Sequence, residues 1–275
     1  MALPGKENIT TLNNGVEMPL LGLGVYDMHG AEARNAVIHA FEVGYRLIDT
    51  AALYGNEKEI GEAIKASGIP RHEMFITTKV HNGDQGFEST LKAYETSRKK
   101  LGIDQVDLYL VHWPVRGKRK DTWKALEKLY HEKQVKAIGV ANYLIPFLDE
   151  LETYANEEPA LNQVEFSPYL FLEDLLNYCK ERKIQLQSYT PLVRGQKFKD
   201  PKLLNLAHKY GKTPAQIILR WNIQLGVSTI PKTASLARLK ENFDVFDFSL
   251  TNDDVQALNK FNEDYRVVDN PLDYF

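Results

Sequence analysis

Short apolar runs alternate with amphipathic stretches along almost the whole chain. The runs are Leu20–Leu23, Leu47–Asp49, Phe75–Lys79, Val106–Val111, Ala137–Val140, Leu161–Glu165, Gln185–Tyr189 and Val227–Ile230. Each has the length of a strand rather than a helix. Between them, apolar positions recur at helical spacing. Ala33, Ala36, Val37, Ala40 and Phe41 share one face, as do Trp123, Leu126, Leu129 and Tyr130, and again Ile217, Ile218, Trp221 and Leu225. Helix starts are marked by capping hydroxyls. Thr213-Pro214-Ala215-Gln216 has a proline at the first helical position and Gln at N3. Ahead of the alternation, Ile9–Leu12 and Val16–Met18 flank Asn13-Asn14-Gly15, a hairpin whose Asn-Gly pair supplies positive φ.

Eight strands alternating with helices predict parallel βαβ units, and eight such units predict a closed (β/α)8 TIM barrel. An N-terminal hairpin precedes it, and an extra C-terminal helix opens at Thr251-Asn252-Asp253-Asp254. An open doubly wound sheet is the alternative. The Gly-x-Gly-x-x-Gly loop of common dinucleotide folds is absent, Gly22-Leu23-Gly24 being only a fragment of it. No linker divides the chain, so residues 1–275 read as one domain. The stretch from Asp264 to Phe275 has no period and is expected as a tail lying across a site.

Composition narrows the setting. The 275 residues carry a net charge of -3, which argues against nucleic acid or anionic membrane as partner. A single cysteine, Cys179, cannot form an internal disulfide, so a reducing compartment is expected. No secretory leader and no run long enough to span a bilayer is visible. The expectation is a cytoplasmic monomer acting on a small molecule.

The chemistry lies at the strand ends. Asp49, Lys79, His112, Asn142, Gln163, Tyr189 and Lys232 stand there, and the first gaps are 30, 33 and 30 residues, one βα unit each. A barrel turns that spacing into convergence on one rim. Tyr54 follows Asp49 by five residues. A cationic Lys79 beside this phenol is expected to lower its pKa, with Asp49 keeping the lysine charged. His112 then orients a carbonyl oxygen, and Tyr54 protonates it. That chemistry needs a hydride source. Asn142 and Gln163 carry carboxamides suited to a nicotinamide, and Tyr189 offers a flat face to a flat ring. Ile230-Pro231-Lys232-Thr233 and Arg238 place two cations around a helix start at Ser235, an arrangement that suits phosphate.

Gly44 to Glu57, Val106 to Pro114, Asn162-Gln163-Val164-Glu165 and Ile230-Pro231-Lys232-Thr233 resemble the motifs of the aldo-keto reductase family. The chain is most similar to its short microbial members, grouped with diketogluconate reductases and prostaglandin F synthases. The resemblance implies a barrel that reduces aldehydes and ketones with NADPH. Tyr54 would be the acid, with Asp49, Lys79 and His112 as partners. Gly24, Val25, Tyr26 and Asp49 would lie along the cofactor. Asn142, Gln163 and Tyr189 would hold the nicotinamide, and Thr190, Pro191 and Leu192 the pyrophosphate. Ile230, Lys232, Thr233, Arg238, Glu241 and Asn242 would take the adenosine end. Tyr26, Tyr54, His81, His112 and Trp113 would border the substrate. No metal is implied.

Four positions depart from the family pattern. Ala141 stands where serine is common, a loss of about 0.5–1.5 kcal/mol of cofactor hydrogen bonding. His81 replaces a tryptophan, Ser167 a histidine and Val193 a glycine. The connection Val115 to Lys120 is short, which predicts an open mouth and a broad substrate range. Its basic run, Arg116, Lys118, Arg119 and Lys120, reads as a solvated loop or as an attractor of acidic substrates. Two other functions are compatible with a barrel: a nucleotide-sensing scaffold without turnover, and a metal-dependent hydrolase or isomerase. The tetrad argues against the first, and the lack of paired carboxylates at strand ends against the second.

Overall fold

The computed structural model describes residues 8–274. Strands β1 (Ile9–Thr11) and β2 (Glu17–Pro19) form the antiparallel hairpin, with Thr10 opposite Met18. Gly15 takes the positive φ, 85°. Asn14 braces the turn with its side chain, accepting from Val16 N at 3.3 Å.

Eight parallel strands follow in sequence order: β3 (Gly22–Gly24), β4 (Leu47–Asp49), β5 (Phe75–Val80), β6 (Val106–Val111), β7 (Val135–Ala141), β8 (Leu161–Glu165), β9 (Gln185–Tyr189) and β10 (Ser228–Thr229). Parallel bridges from Leu21 to Thr229 and from Gly24 to Lys232 join the two edges and close the barrel. Glycine is required at that seam. A Cβ on Gly24 would stand 2.8 Å from the carbonyl oxygen of Ile230, closer than two strands can tolerate. The seam also explains why β3 and β10 are shorter and shifted relative to their apolar runs. Leu20 lies outside β3, yet its carbonyl accepts from Thr229 N at 2.7 Å.

The helices α1 (Gly30–Val43), α2 (Glu57–Ser67), α3 (Phe87–Leu101), α4 (Arg119–His131), α5 (Ile145–Glu152), α6 (Glu173–Glu181), α8 (Pro214–Gln224) and α9 (Leu236–Phe243) alternate with the strands. Their apolar faces are buried, including all five positions of the first face in α1. The capping box at Thr213 forms as predicted, with both reciprocal bonds present. Helix α7 (Pro201–Tyr210) is an addition in the last long connection, started by Asp200, whose side chain accepts from Lys202 N. Helix α10 (Asn252–Asn259) is the expected extra helix, capped by Thr251.

Two apolar layers result. Side chains such as Leu23, Ile48, Ile76 and Val111 pack outward against the helices. Leu47, Phe75, Leu108, Leu110, Ala137 and Leu161 fill the barrel interior, and Leu12 and Met18 of the hairpin plug its N-terminal end. Because strand side chains alternate with period two, the inward parity set by these residues continues to the strand ends. Asp49 shares the inward parity of Leu47, Lys79 that of Phe75, His112 that of Leu108, and Gln163 that of Leu161. The alternation that packs the interior therefore aims the chemical groups into the opposite end.

Beyond α10 the chain returns to that end. Tyr265 N donates to Tyr169 O at 2.9 Å, and Val267 N and Val268 N donate to the Glu165 carboxylate at 2.7 and 3.1 Å. Glu165 closes β8, so the tail crosses the rim as expected before ending in α11 (Pro271–Tyr274).

Candidate active site

Asp49 and Lys79 meet inside the barrel, 1% and 0% exposed. Lys79 Nζ lies 2.5 Å from Asp49 Oδ1, 2.9 Å from Thr50 O and 3.5 Å from the Tyr54 hydroxyl. Burial pushes the carboxyl up and the ammonium down, and each group resists that push in the other. Tyr54 sits on a short turn after β4 with its ring 5.1 Å from Nζ. Two further rings flank it edge-on. Tyr26 is 5.2 Å away between centroids and His112 is 5.7 Å away. The expectation that Lys79 lowers the Tyr54 pKa does not hold in this geometry. Burial pushes the phenol well above its usual value, and the Asp49 charge pushes in the same direction. The lysine is at the edge of hydrogen-bond reach, and its charge is largely compensated by Asp49.

His112 is 7% exposed, and burial with the nearby Lys79 charge holds its pKa well below the usual value. It is therefore neutral at pH 7, and its Nδ1 is buried without a hydrogen-bond partner among the described residues. Its carbonyl accepts from Asn142 Nδ2 at 2.9 Å, and Asn142 Oδ1 accepts from the Tyr189 hydroxyl at 2.7 Å. Asn142 adopts a left-handed φ of 65°, a conformation asparagine tolerates better than most residues. Gln163 Nε2 donates to Asp49 Oδ2 and to Gln187 Oε1, both at 2.7 Å. With both its N–H groups engaged, Gln163 has Oε1 as its remaining acceptor.

The other predicted residues lie on the same rim. Gly24 ends β3, Val25 and Tyr26 follow it, and Tyr26 is exposed at the mouth. His81 and Trp113 follow β5 and β6, and Gln85 Nε2 fixes the Trp113 carbonyl at 2.7 Å. Thr190, Pro191 and Leu192 follow β9, and Ile230, Lys232 and Thr233 follow β10. Arg238, Glu241 and Asn242 lie on α9, which Ser235 caps through Arg238 N. Lys232 and Arg238 are exposed, and neither is in an ion pair among the described residues. Glu241 accepts from Thr213 Oγ1, and Asn242 is buried.

The departures have structural consequences. Val193 and Arg194 take φ of 44° and 54°, the left-handed region where the family's glycine is comfortable and a β-branched residue is strained. Ser167 Oγ accepts from Tyr169 N and Leu170 N, bracing the loop after β8. In the basic run, Arg119 is held by the Glu150 carboxylate at 2.6 Å, while Arg116 and Lys118 are exposed.

Residue-by-residue reading missed Asn56, Thr50 and Gln187. Asn56, fully buried, donates to Val25 O and Met28 O and accepts from Thr50 Oγ1. It thus ties the loop after β3 to the loop that carries Tyr54. Its place two residues beyond Tyr54 was the available signal. For Gln187 the signal was an amide at inward parity in the middle of a strand.

A closed barrel with a lysine–carboxylate pair, a phenol and a neutral imidazole at the C-terminal rim is the framework of an oxidoreductase that works on carbonyl groups. Comparison with known proteins makes this specific. Residues 21–263 match the model of the Aldo/keto reductase family. The chain is 49% identical to the glyoxal reductase of Bacillus subtilis over 94% of its own length and 95% of the relative's. It is 47% identical to the 9,11-endoperoxide prostaglandin H2 reductase of Trypanosoma cruzi, over 98% and 96% of the two chains. Among solved structures, a variant of Gox0644 in complex with NADPH superposes with a TM-score of 0.92 at 37% identity, covering 96% of this chain and 97% of that one. The chain belongs to the aldo-keto reductase family and is an oxidoreductase. Among the described residues no group of His, Cys, Asp and Glu could hold a metal ion, and no helix is long and apolar enough to cross a membrane.

Proposed function

We propose that this protein reduces aldehydes and ketones to alcohols with NADPH, Tyr54 acting as the general acid. The observation that carries the reading is the Lys79–Tyr54–His112 grouping at the rim, the hydroxyl 3.5 Å from Nζ and the two rings edge-on. The rim has places for the cofactor. Gln163 keeps one acceptor for a carboxamide, Tyr189 presents a ring, and Lys232 with Arg238 forms a cationic end near the α9 N-terminus for a 2′-phosphate. Bound NADPH would supply a hydride for the carbonyl carbon.

The remaining steps belong to the chain. Tyr54, kept protonated by its raised pKa, donates its proton to the substrate oxygen as negative charge develops there. Lys79 stabilises the resulting phenolate through its ammonium, and Asp49 maintains that charge. Neutral His112 orients the carbonyl without adding charge. Tyr26, His81 and Trp113 border the substrate. The short β6–α4 connection leaves the mouth open to varied carbonyl compounds. The 49% identity to a glyoxal reductase makes small aldehydes the first substrates to test.

The test follows NADPH absorbance against a panel of aldehydes and ketones, for the parent and for Tyr54→Phe. The expected result is turnover by the parent and cofactor binding without reduction by the variant. Equal turnover by the two would remove Tyr54 from its role. Binding of NADPH with no oxidation by any carbonyl would return the protein to a scaffold.

A further inference from the structure

A chain of buried amides runs inward from the catalytic carboxylate. Gln163 Nε2 donates to Asp49 Oδ2 and to Gln187 Oε1, and Gln187 Nε2 donates to Ser228 Oγ, each at 2.7 Å. Gln163, Gln187 and Ser228 are 2%, 0% and 0% exposed, so water cannot substitute for any of these partners. The direction of the chain is set at its Asp49 end. An ionised Asp49 only accepts, so Gln163 must turn its nitrogen toward it. The second proton of that nitrogen requires an acceptor, which is Gln187 Oε1. Gln187 then necessarily presents its own nitrogen to Ser228. An amide turned the other way at any point would face donor with donor or acceptor with acceptor.

From this we infer that Gln187 is a positioning residue for cofactor recognition. It locks the Gln163 carboxamide with Oε1 directed at the nicotinamide amide, and Ser228 locks Gln187 in turn. The inference rests on the proposed NADPH site and adds to it a residue that touches neither cofactor nor substrate. Replacement of Gln187 by methionine, similar in volume but unable to accept, leaves one Gln163 N–H buried without a partner. The Gln163 amide, still held to Asp49 by one N–H, loses its second anchor, and its Oε1 is no longer held in line with the nicotinamide amide.

The experiment compares two ligands by equilibrium titration. NADPH carries the nicotinamide, and adenosine 2′,5′-bisphosphate carries only the adenosine end. Gln187→Met is expected to weaken NADPH by about threefold to tenfold, the range of one net hydrogen bond, and to leave the bisphosphate unchanged. In a Gln163→Met background the same change is expected to add less than about twofold, because Gln187 acts through Gln163. Ser228→Ala, which removes only the far end, is expected to shift NADPH alone and by less, and it carries the test if Gln187→Met fails to fold. Equal weakening of both ligands, parental NADPH affinity in Gln187→Met, or effects of Gln163→Met and Gln187→Met that multiply would each overturn the role. The parent separates this failure from a wider one. A parent that binds NADPH no better than the bisphosphate has no nicotinamide contact, and both readings fall. A parent that discriminates, with variants that equal it, removes Gln187 alone.

Discussion

Asp49 and Lys79 lie 30 residues apart in sequence and 2.5 Å apart in space, on adjacent strands and sealed from solvent. A pair this deep is costly to halve. Asp49→Asn leaves a buried ammonium with only neutral acceptors and no counter-charge, and Lys79→Met leaves a buried carboxylate with Gln163. Each single change is expected to destabilise the fold by about 3–5 kcal/mol. The double variant Asp49→Asn/Lys79→Met is expected to recover a large part of that stability while staying inactive in carbonyl reduction. Denaturant unfolding of the four proteins in the cycle measures both singles and their coupling. Additive losses would mean that the two groups do not depend on each other.

The raised Tyr54 pKa and the depressed His112 pKa have a shared consequence for the proposed reaction. Neither group changes protonation between about pH 6 and pH 9, given unperturbed values of about 10 and 6.5 moved outward in both cases. The kcat of carbonyl reduction should therefore be flat across that window. Tyr54→Phe should lower it by about 10²–10⁴, the contribution of a positioned acid. A fall in kcat near pH 7–8 in the parent would show that Lys79 wins over burial and that the phenol ionises early.

Much of this was readable in the sequence itself, for a physical reason. A parallel barrel buries both faces of every strand, so its strands are apolar runs until the rim, and polar residues at their ends stand out. Asp49, Lys79, His112 and Gln163 were visible in this way, and period-two alternation carried them inward. Helix caps at Thr213, Ser235 and Thr251 were equally legible, because a capping hydroxyl acts within three residues. Four features were not. Seam closure between β3 and β10 uses residues outside the regular runs, which sequence pattern alone does not register. Helix α7 begins at Asp200-Pro201, a good start signal, but it is an addition that the eight-unit scheme does not require. The sign of the Tyr54 shift depends on a competition between burial, Asp49 and Lys79, and only distances decide it. Gln187 and Asn56 act through contacts up to 41 residues away, which spacing does not reveal.

Cofactor choice is expected to lie in the two exposed cations beside α9. Lys232→Ala and Arg238→Ala should each weaken NADPH by about tenfold or more, since a hydrogen bond to a charged group contributes about 1.5–3 kcal/mol. Neither should change NADH affinity, because NADH lacks the 2′-phosphate. Fluorescence titration of both dinucleotides reads the result. The effect on NADPH should shrink with added salt, as both side chains are solvent-exposed and screened. Equal losses for the two dinucleotides would place these residues on the shared pyrophosphate instead.

Folding stability should carry a signature of His112. In the native protein the ring stays neutral, its pKa held well below 6.5 by burial and by the Lys79 charge. In the unfolded chain it takes up a proton below about pH 6.5. The unfolded state therefore binds more protons as pH falls, and stability falls with it. Between pH 6.5 and pH 5.5 this one group should cost about 1 kcal/mol. His112→Asn removes the titration but leaves every other group in place. The stability difference between parent and variant should thus shrink by that amount over the same step, as read by urea unfolding at the two pH values. A difference that stays constant would mean that His112 is protonated alike in the folded and unfolded chains, and a ring with so ordinary a pKa would not be the neutral carbonyl partner the site requires.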